Sequence, residues 1–213
     1  MLKDGLHCPV MMICYGDGDN SEIMDKLLIL VRHSISRQDP TVSAHQWTLT
    51  EEGLARCELL ARHLQAHQPS VIVSSEEPKA VQTAQAVADR LRLPHHTEHD
   101  LHEHRRTSAP YGTQAEFEAR IRRLLEHPDQ LVFGDETGGA ACDRFQAAIE
   151  KLLAHHPQQT LAAVTHGTVM TLFLARVAGV DAFSFWQKLG MPAYVVLSLP
   201  DYALLKIVAV VKD

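Results

Sequence analysis

The chain has 213 residues, 46% of them hydrophobic and 22% charged. At about 150 residues per domain this is one globular domain with ample core material, not a disordered, collagenous or coiled-coil chain. The net charge of −6 argues against a broad nucleic-acid or anionic-membrane surface, while a small anionic ligand still fits a locally positive pocket. Fourteen histidines are the compositional oddity.

Residues 1–25 carry no sustained period and include the turn-rich string GDGDNSE, so they read as an extension and a candidate for disorder. Their apolar patch is too short for a signal peptide, and no run approaches the ~20 residues of a membrane span. The cysteines Cys8, Cys14, Cys57 and Cys142 form no C-x2-C pair, a spacing of reduced thiols rather than of a zinc ribbon or a disulfide framework. These features place the protein in the cytoplasm, with residues 26–213 as a single domain.

The pattern becomes regular at Lys26. Leu27–Val31 is a continuous apolar run of buried-strand length. Thr50 caps a helix reaching His67, with Leu54, Cys57, Ala61 and Leu64 on one face. Val71–Ser74 is a second buried strand, and Lys79–Leu91 a helix with Ala80, Ala84, Val87 and Leu91 on one side. Pro94 ends that helix, and His95–Tyr111 reads as a polar, histidine-rich loop. Ala115–Glu126 and Ala140–His155 are helices, Leu161–Val164 is a third buried strand, and Thr168–Ala178 is a helix. The segment around Trp186 reads as a packing helix, and Tyr194–Leu199 with Leu204–Val211 as an antiparallel pair. Strands alternating with amphipathic helices give an α/β fold with helices on both sheet faces.

Three apolar strands each run into a polar segment and then a helix: Arg32-His33-Ser34, Ser74-Ser75 with Lys79, and Thr165-His166-Gly167. Ligands of open α/β sheets bind beyond the carboxyl ends of the strands. If these strands are parallel neighbours, Arg32, His33, Lys79 and His166 converge on one pocket. Free helix N-termini there would also favour an anion. Arginine supplies a planar fork for phosphate oxygens and lysine a point charge.

These residues carry a family resemblance. LLILVRHSIS resembles the RHG motif of the histidine phosphatase superfamily, the phosphoglycerate-mutase-like proteins, and HQWTLTEEGLARC resembles its L-T-x-x-G stretch. SSEEPKAVQTA is similar to its S-S-x-x-x-R-A-x-Q-T-A, DLHEHRR to its acidic segment, and AAVTHGTVM to its second-histidine motif. The matches run in family order from Leu27 to Ala178. The resemblance implies a three-layer αβα sandwich with a mostly parallel central sheet. It further implies a metal-independent phosphomonoesterase, with no cofactor, acting through a phosphohistidine on a small phosphorylated metabolite.

By that resemblance His33 is the nucleophile, and Arg32, Lys79 and His166 bind the transferring phosphate. Glu103 protonates the leaving oxygen and later activates water. As an acid it must hold a proton, so partial burial is expected to raise its pKa and favour acidic to neutral pH. His33 must present one unprotonated nitrogen, its other held by a partner such as a backbone carbonyl. Two positions depart from the pattern: Lys79 stands where the family has arginine, and Ser34 replaces a glycine whose loop would be crowded if it needs positive φ.

Ser36, Arg37 and Arg106 are candidate substrate contacts, each equally readable as solvated or paired. Glu98, Asp100 and Glu116 are competing carboxylates. The string His95, His96, His99, His102 and His104 matches no familiar ligand spacing and reads as a solvated loop, not a metal site. Three alternatives keep the same residues: a phosphoglycerate-mutase-type phosphotransferase, a protein phosphohistidine phosphatase, and a non-catalytic phosphate-binding module. The natural substrate and the oligomeric state are not legible.

Overall fold

The computed structural model describes residues 26–109 and 112–212, so the extension over residues 1–25, with Cys8 and Cys14, lies outside the described residues. In chain order the strands are β1 (Leu27–Arg32), β2 (Val71–Ser74), β3 (His95–Thr97), β4 (Leu161–Thr165), β5 (Ala193–Ser198) and β6 (Ala203–Val208). The helices are α1 (Glu51–Gln65), α2 (Pro78–Leu91), α3 (Gln114–Glu126), α4 (Gly138–His155), α5 (Gly167–Ala178) and α6 (Ala182–Lys188). The sheet order is β3-β2-β4-β1-β5-β6. Its first four strands are mutually parallel, and β5 runs antiparallel to both neighbours.

The central strands are apolar without alternation because both faces are covered. Leu28, Leu30, Leu161, Ala163, Val195 and Leu197 pack with Phe145, Ile149 and Phe173 from α4 and α5. Ile29, Val31, Ala162, Val164, Tyr194 and Val196 pack with Cys57, Leu60, Leu64, Ala84 and Val87 from α1 and α2. The result is the expected three-layer αβα sandwich. Among the described residues no helix is long and apolar enough to cross a membrane.

Two expectations need correction. Leu54 is 46% exposed, and the inner face of α1 is Gly53, Cys57, Leu60, Ala61 and Leu64. Leu54 lies about 100° round from Gly53, on the rim of that stripe. His95–Tyr111 is not all loop: His95–Thr97 pairs parallel with Ile72–Ser74, and a 3-10 turn covers His99–Leu101. A three-residue polar edge strand has too little apolar patterning to announce itself.

Register decides where the strands end. Arg32 lies opposite Thr165 and Ser74 opposite Val164. The ladders continue one residue further, with His33 N–H donating to the Thr165 carbonyl at 3.0 Å and Ser75 N–H to that of Val164 at 2.9 Å. The carboxyl ends of β1, β4 and β2 are therefore level.

Behind the β1 end, α1 approaches the 33–36 loop so closely that only glycine fits. A Cβ on Gly53 would collide with the Ile35 carbonyl oxygen, and the Gly53 carbonyl accepts the Ser34 hydroxyl at 2.7 Å. Gly53→Ala should therefore cost about 1–3 kcal/mol through forced backbone movement. A lowered urea midpoint with an unchanged m-value would show it, and wild-type stability would contradict the contact.

Candidate active site

His33 follows β1 directly and is 6% exposed. Its Nδ1 lies 2.8 Å from the Ser34 carbonyl oxygen, which accepts only from a protonated nitrogen; that assigns the proton to Nδ1 and the lone pair to Nε2. Burial, followed by the charges of His166, Lys79 and Arg32, pushes the imidazole well below its ordinary value. A neutral ring with one held nitrogen and one free lone pair is what a nucleophile needs. Ser34 is fully buried, its φ is not positive, and its N–H donates to Thr83 Oγ1 at 3.0 Å. The loop therefore accommodates the Cβ that replaces glycine.

Arg32 reaches over Gly167, where a Cβ would stand 3.2 Å from its guanidinium carbon. Its Nη1 donates to the Leu189 carbonyl, and its buried Nε has no partner. Lys79, in the first turn of α2, is 5% exposed; its Nζ donates to the Ala44 carbonyl at 2.6 Å and to Glu77 Oε2 at 2.5 Å.

His166 ends β4 and begins α5. It is fully buried, its ring centroid lies 5.2 Å from that of His33, and both ring nitrogens lack hydrogen-bond partners. Leaving such groups unsatisfied costs about 1–3 kcal/mol each, an expense that a bound acceptor relieves. Burial and then Lys79 push His166 well below its ordinary value, while Glu103 acts the other way.

Glu103 is carried in by the 3-10 turn. Leu101 is fully buried, its carbonyl accepts from Thr165 Oγ1 at 2.8 Å, and Arg144 donates to the carbonyls of Asp100, His102 and Glu103. The carboxylate then caps α5, accepting N–H bonds from Thr168 and Val169 at 3.1 Å each, with His104 N–H at 2.9 Å. Arg106 Nη2 stands 3.6 Å from Glu103 Oε2. Burial alone pushes the carboxyl up, but Arg106, His166 and the backbone donors outweigh it and hold Glu103 well below the ordinary carboxylate range. The expected raised pKa is thus overturned. The α5 N-terminal N–H groups expected to face the ligand are likewise engaged by Glu103.

The remaining candidates divide. Arg106 pairs with Glu103, reaches Thr168 Oγ1 at 3.4 Å and lies over the Phe117 ring, so it borders the site. Ser36 bridges to Leu49, and Arg37 is exposed, its backbone bonded to Thr48. Of the rival carboxylates, Glu98 pairs with Lys151 and Glu116 closes the α3 capping box with Thr113. His95 bonds Ser74 and Gln85, and buried His104 bonds the Glu136 carbonyl. His99, Asp100 and His102 each bring one potential ligand atom within 4.8 Å of the others, a grouping that their spacing did not suggest.

Glu77 is the site residue that the sequence pattern did not single out. It occupies the N-cap position of α2 ahead of Pro78 without a side-chain capping bond, its side chain is 11% exposed, and it touches Lys79, the Glu103 backbone and His166. The signal was present as an acid two residues before Lys79 at a helix start.

Residues 28–202 match the family described as histidine phosphatase superfamily (branch 1). No curated protein matches the chain in sequence. Among solved structures, a mycobacterial glucosyl-3-phosphoglycerate phosphatase is similar with a TM-score of 0.68 at 20% identity, over 82% of this chain and 91% of that one. Phosphoserine phosphatase from Entamoeba histolytica, in complex with 3-phosphoglyceric acid, gives a TM-score of 0.70 at 17% identity over 86% and 96%. Bacillus stearothermophilus YhfR gives 0.68 at 20% over the same shares. With the match over residues 28–202 and the two histidines facing each other at the level ends of β1 and β4, the chain belongs to branch 1 of the histidine phosphatase superfamily.

Proposed function

We propose that the protein is a cytoplasmic, metal-independent phosphomonoesterase acting on a small phosphorylated metabolite through a phosphohistidine on His33. The observation that carries this reading is the neutral, Nδ1-anchored His33 facing His166, beside Arg32 and Lys79. The structural relatives named as phosphatases support it, as do the buried free thiols Cys57 and Cys142 for the compartment.

A loose phosphoryl transition state is stabilised by position and by charge more than by covalent help. Arg32, Lys79 and His166 offer donors to the phosphoryl oxygens while His33 Nε2 attacks phosphorus opposite the leaving oxygen. Glu103 gives that oxygen a proton as the P–O bond breaks, and later takes one from the water that attacks the phosphohistidine, breaking the P–N bond and releasing phosphate and His33. Its ionised resting state is consistent with this role, since an arriving phosphate dianion is a like charge that raises a neighbouring carboxyl. Its ties to α5 and Arg106 make the required rise large.

Hydrolysis of 4-nitrophenyl phosphate should survive excess chelator and disappear in His33→Ala; turnover retained in that variant would remove His33 as nucleophile. Glu103→Gln should separate substrates by leaving group. An alkyl phosphate, whose alkoxide needs a proton, should lose about 10²–10⁴-fold in kcat, and 4-nitrophenyl phosphate far less. Equal losses on both would assign Glu103 a structural role.

Because His33 must be neutral to attack and is pushed well below 6.5, kcat/KM should hold as pH falls past 6.5, after correction for the substrate's own ionisation. A profile measured from pH 5 to 8 tests this, and an acid limb centred at or above 6.5 contradicts it.

A further inference from the structure

Lys79 is an ammonium with three N–H donors, and Ala44 O and Glu77 Oε2 take two of them. One donor remains, and its direction is set by the other two. An arginine fork is rigid by itself, whereas a lysine point charge on a flexible stem is aimed only by such partners. The other Glu77 oxygen, Oε1, accepts the Glu103 backbone N–H at 2.9 Å and stands 3.4 Å from His166 Nε2. That imidazole is fully buried, and neither nitrogen has a hydrogen-bond partner. One carboxylate, 11% exposed, therefore spans two groups facing the phosphate site and the loop that carries Glu103.

We propose that Glu77 is a positioning residue of this site, its carboxylate aiming the free N–H of Lys79 and holding a proton on His166 Nε2 when a phosphoryl group is bound. The inference rests on the phosphatase reading and deepens it. The neighbours of His166 define the balance. His33 after β1, Lys79 on α2, and His102 and Arg106 on the acidic loop oppose a charged imidazole. Glu103 and Glu77 are the two carboxylates that favour it. Arrival of a dianion adds negative charge to the same side. Glu77 also explains how lysine serves at a position where the family pattern has arginine: Glu77-Pro78-Lys79 acts as one unit, with Pro78 fixing the chain between carboxylate and ammonium.

The test compares wild type, Glu77→Gln and Glu77→Gln combined with Lys79→Arg. One arm measures kcat and KM on 4-nitrophenyl phosphate across pH. The other follows the His166 imidazole by NMR of ¹⁵N-histidine-labelled protein with saturating inorganic phosphate, the signal assigned by its loss in His166→Asn. In Glu77→Gln, kcat should fall about 10- to 100-fold with a smaller change in KM. The alkaline fall in kcat expected from deprotonation of His166, and the His166 titration itself, should move to lower pH by about one unit. Lys79→Arg should recover part of the loss, because the fork needs no partner to aim it. An unmoved His166 titration in folded Glu77→Gln overturns the proposal, and so does a loss confined to KM. If wild type itself turns over no phosphate ester, the phosphatase reading fails, and the NMR arm still decides whether Glu77 holds the His166 proton.

Discussion

Packing several cations into a water-poor pocket is unfavourable unless charge of the opposite sign meets them, and the layout of this site follows from that constraint. Arg32, Lys79 and Arg106 converge beside two imidazoles that burial keeps close to neutral. Glu77 and Glu103 stand among them and offset most of the charge. With both imidazoles neutral the cations still exceed the carboxylates, and the Arg32 Nε and both His166 nitrogens remain without partners. On the proposed reading, a phosphoryl group would supply negative charge together with acceptor oxygens for Arg32 Nε–H and for the one N–H of neutral His166.

The sheet brings these groups together at little local cost. Level strand ends place His33 and His166 side by side, each bearing on a backbone that the ladder already holds. Gly167 lets the arginine stem cross the start of α5. The α5 N-terminus, a ready anion site, is filled by Glu103, so the helix dipole orients the acid and lowers its proton affinity. Arg144 pins the same loop from α4 by three backbone carbonyls. The acid is thus held chiefly by α4 and α5, which follow it in the chain.

Legibility in the sequence tracked the range of the interaction. Apolar runs that end in polar segments are local signals, and they mark β1, β2, β4 and the residues Arg32, His33, Lys79 and His166. Family resemblance picked Glu103 from among several acids, and the structure places that carboxylate in the site while Glu98 and Glu116 pair elsewhere. Its ionisation was misjudged because burial, which raises it, is outweighed by Arg106, which turns back onto it, and by His166 and the α5 donor Thr168, which lie more than sixty residues away. β3 was hidden because three polar residues at a sheet edge carry no period. Glu77 was hidden for the opposite reason: an acid at a helix start has a sufficient local explanation in the helix dipole, which masks its contacts across the pocket.

The electrostatics of His33 connect the resting site to its chemistry. Burial, followed by His166, Lys79 and Arg32, depresses the basicity of His33 and keeps it neutral; on the proposed reading the same cations attract the phosphate. On that reading a substrate dianion beside these cations would offset their effect. The lone pair on Nε2 would then gain basicity when substrate arrives, while the Ser34 carbonyl keeps the proton on Nδ1. The same dianion raises Glu103 toward a protonated state. On the proposed reading, substrate charge therefore moves His33 and Glu103 in the directions phosphoryl transfer requires.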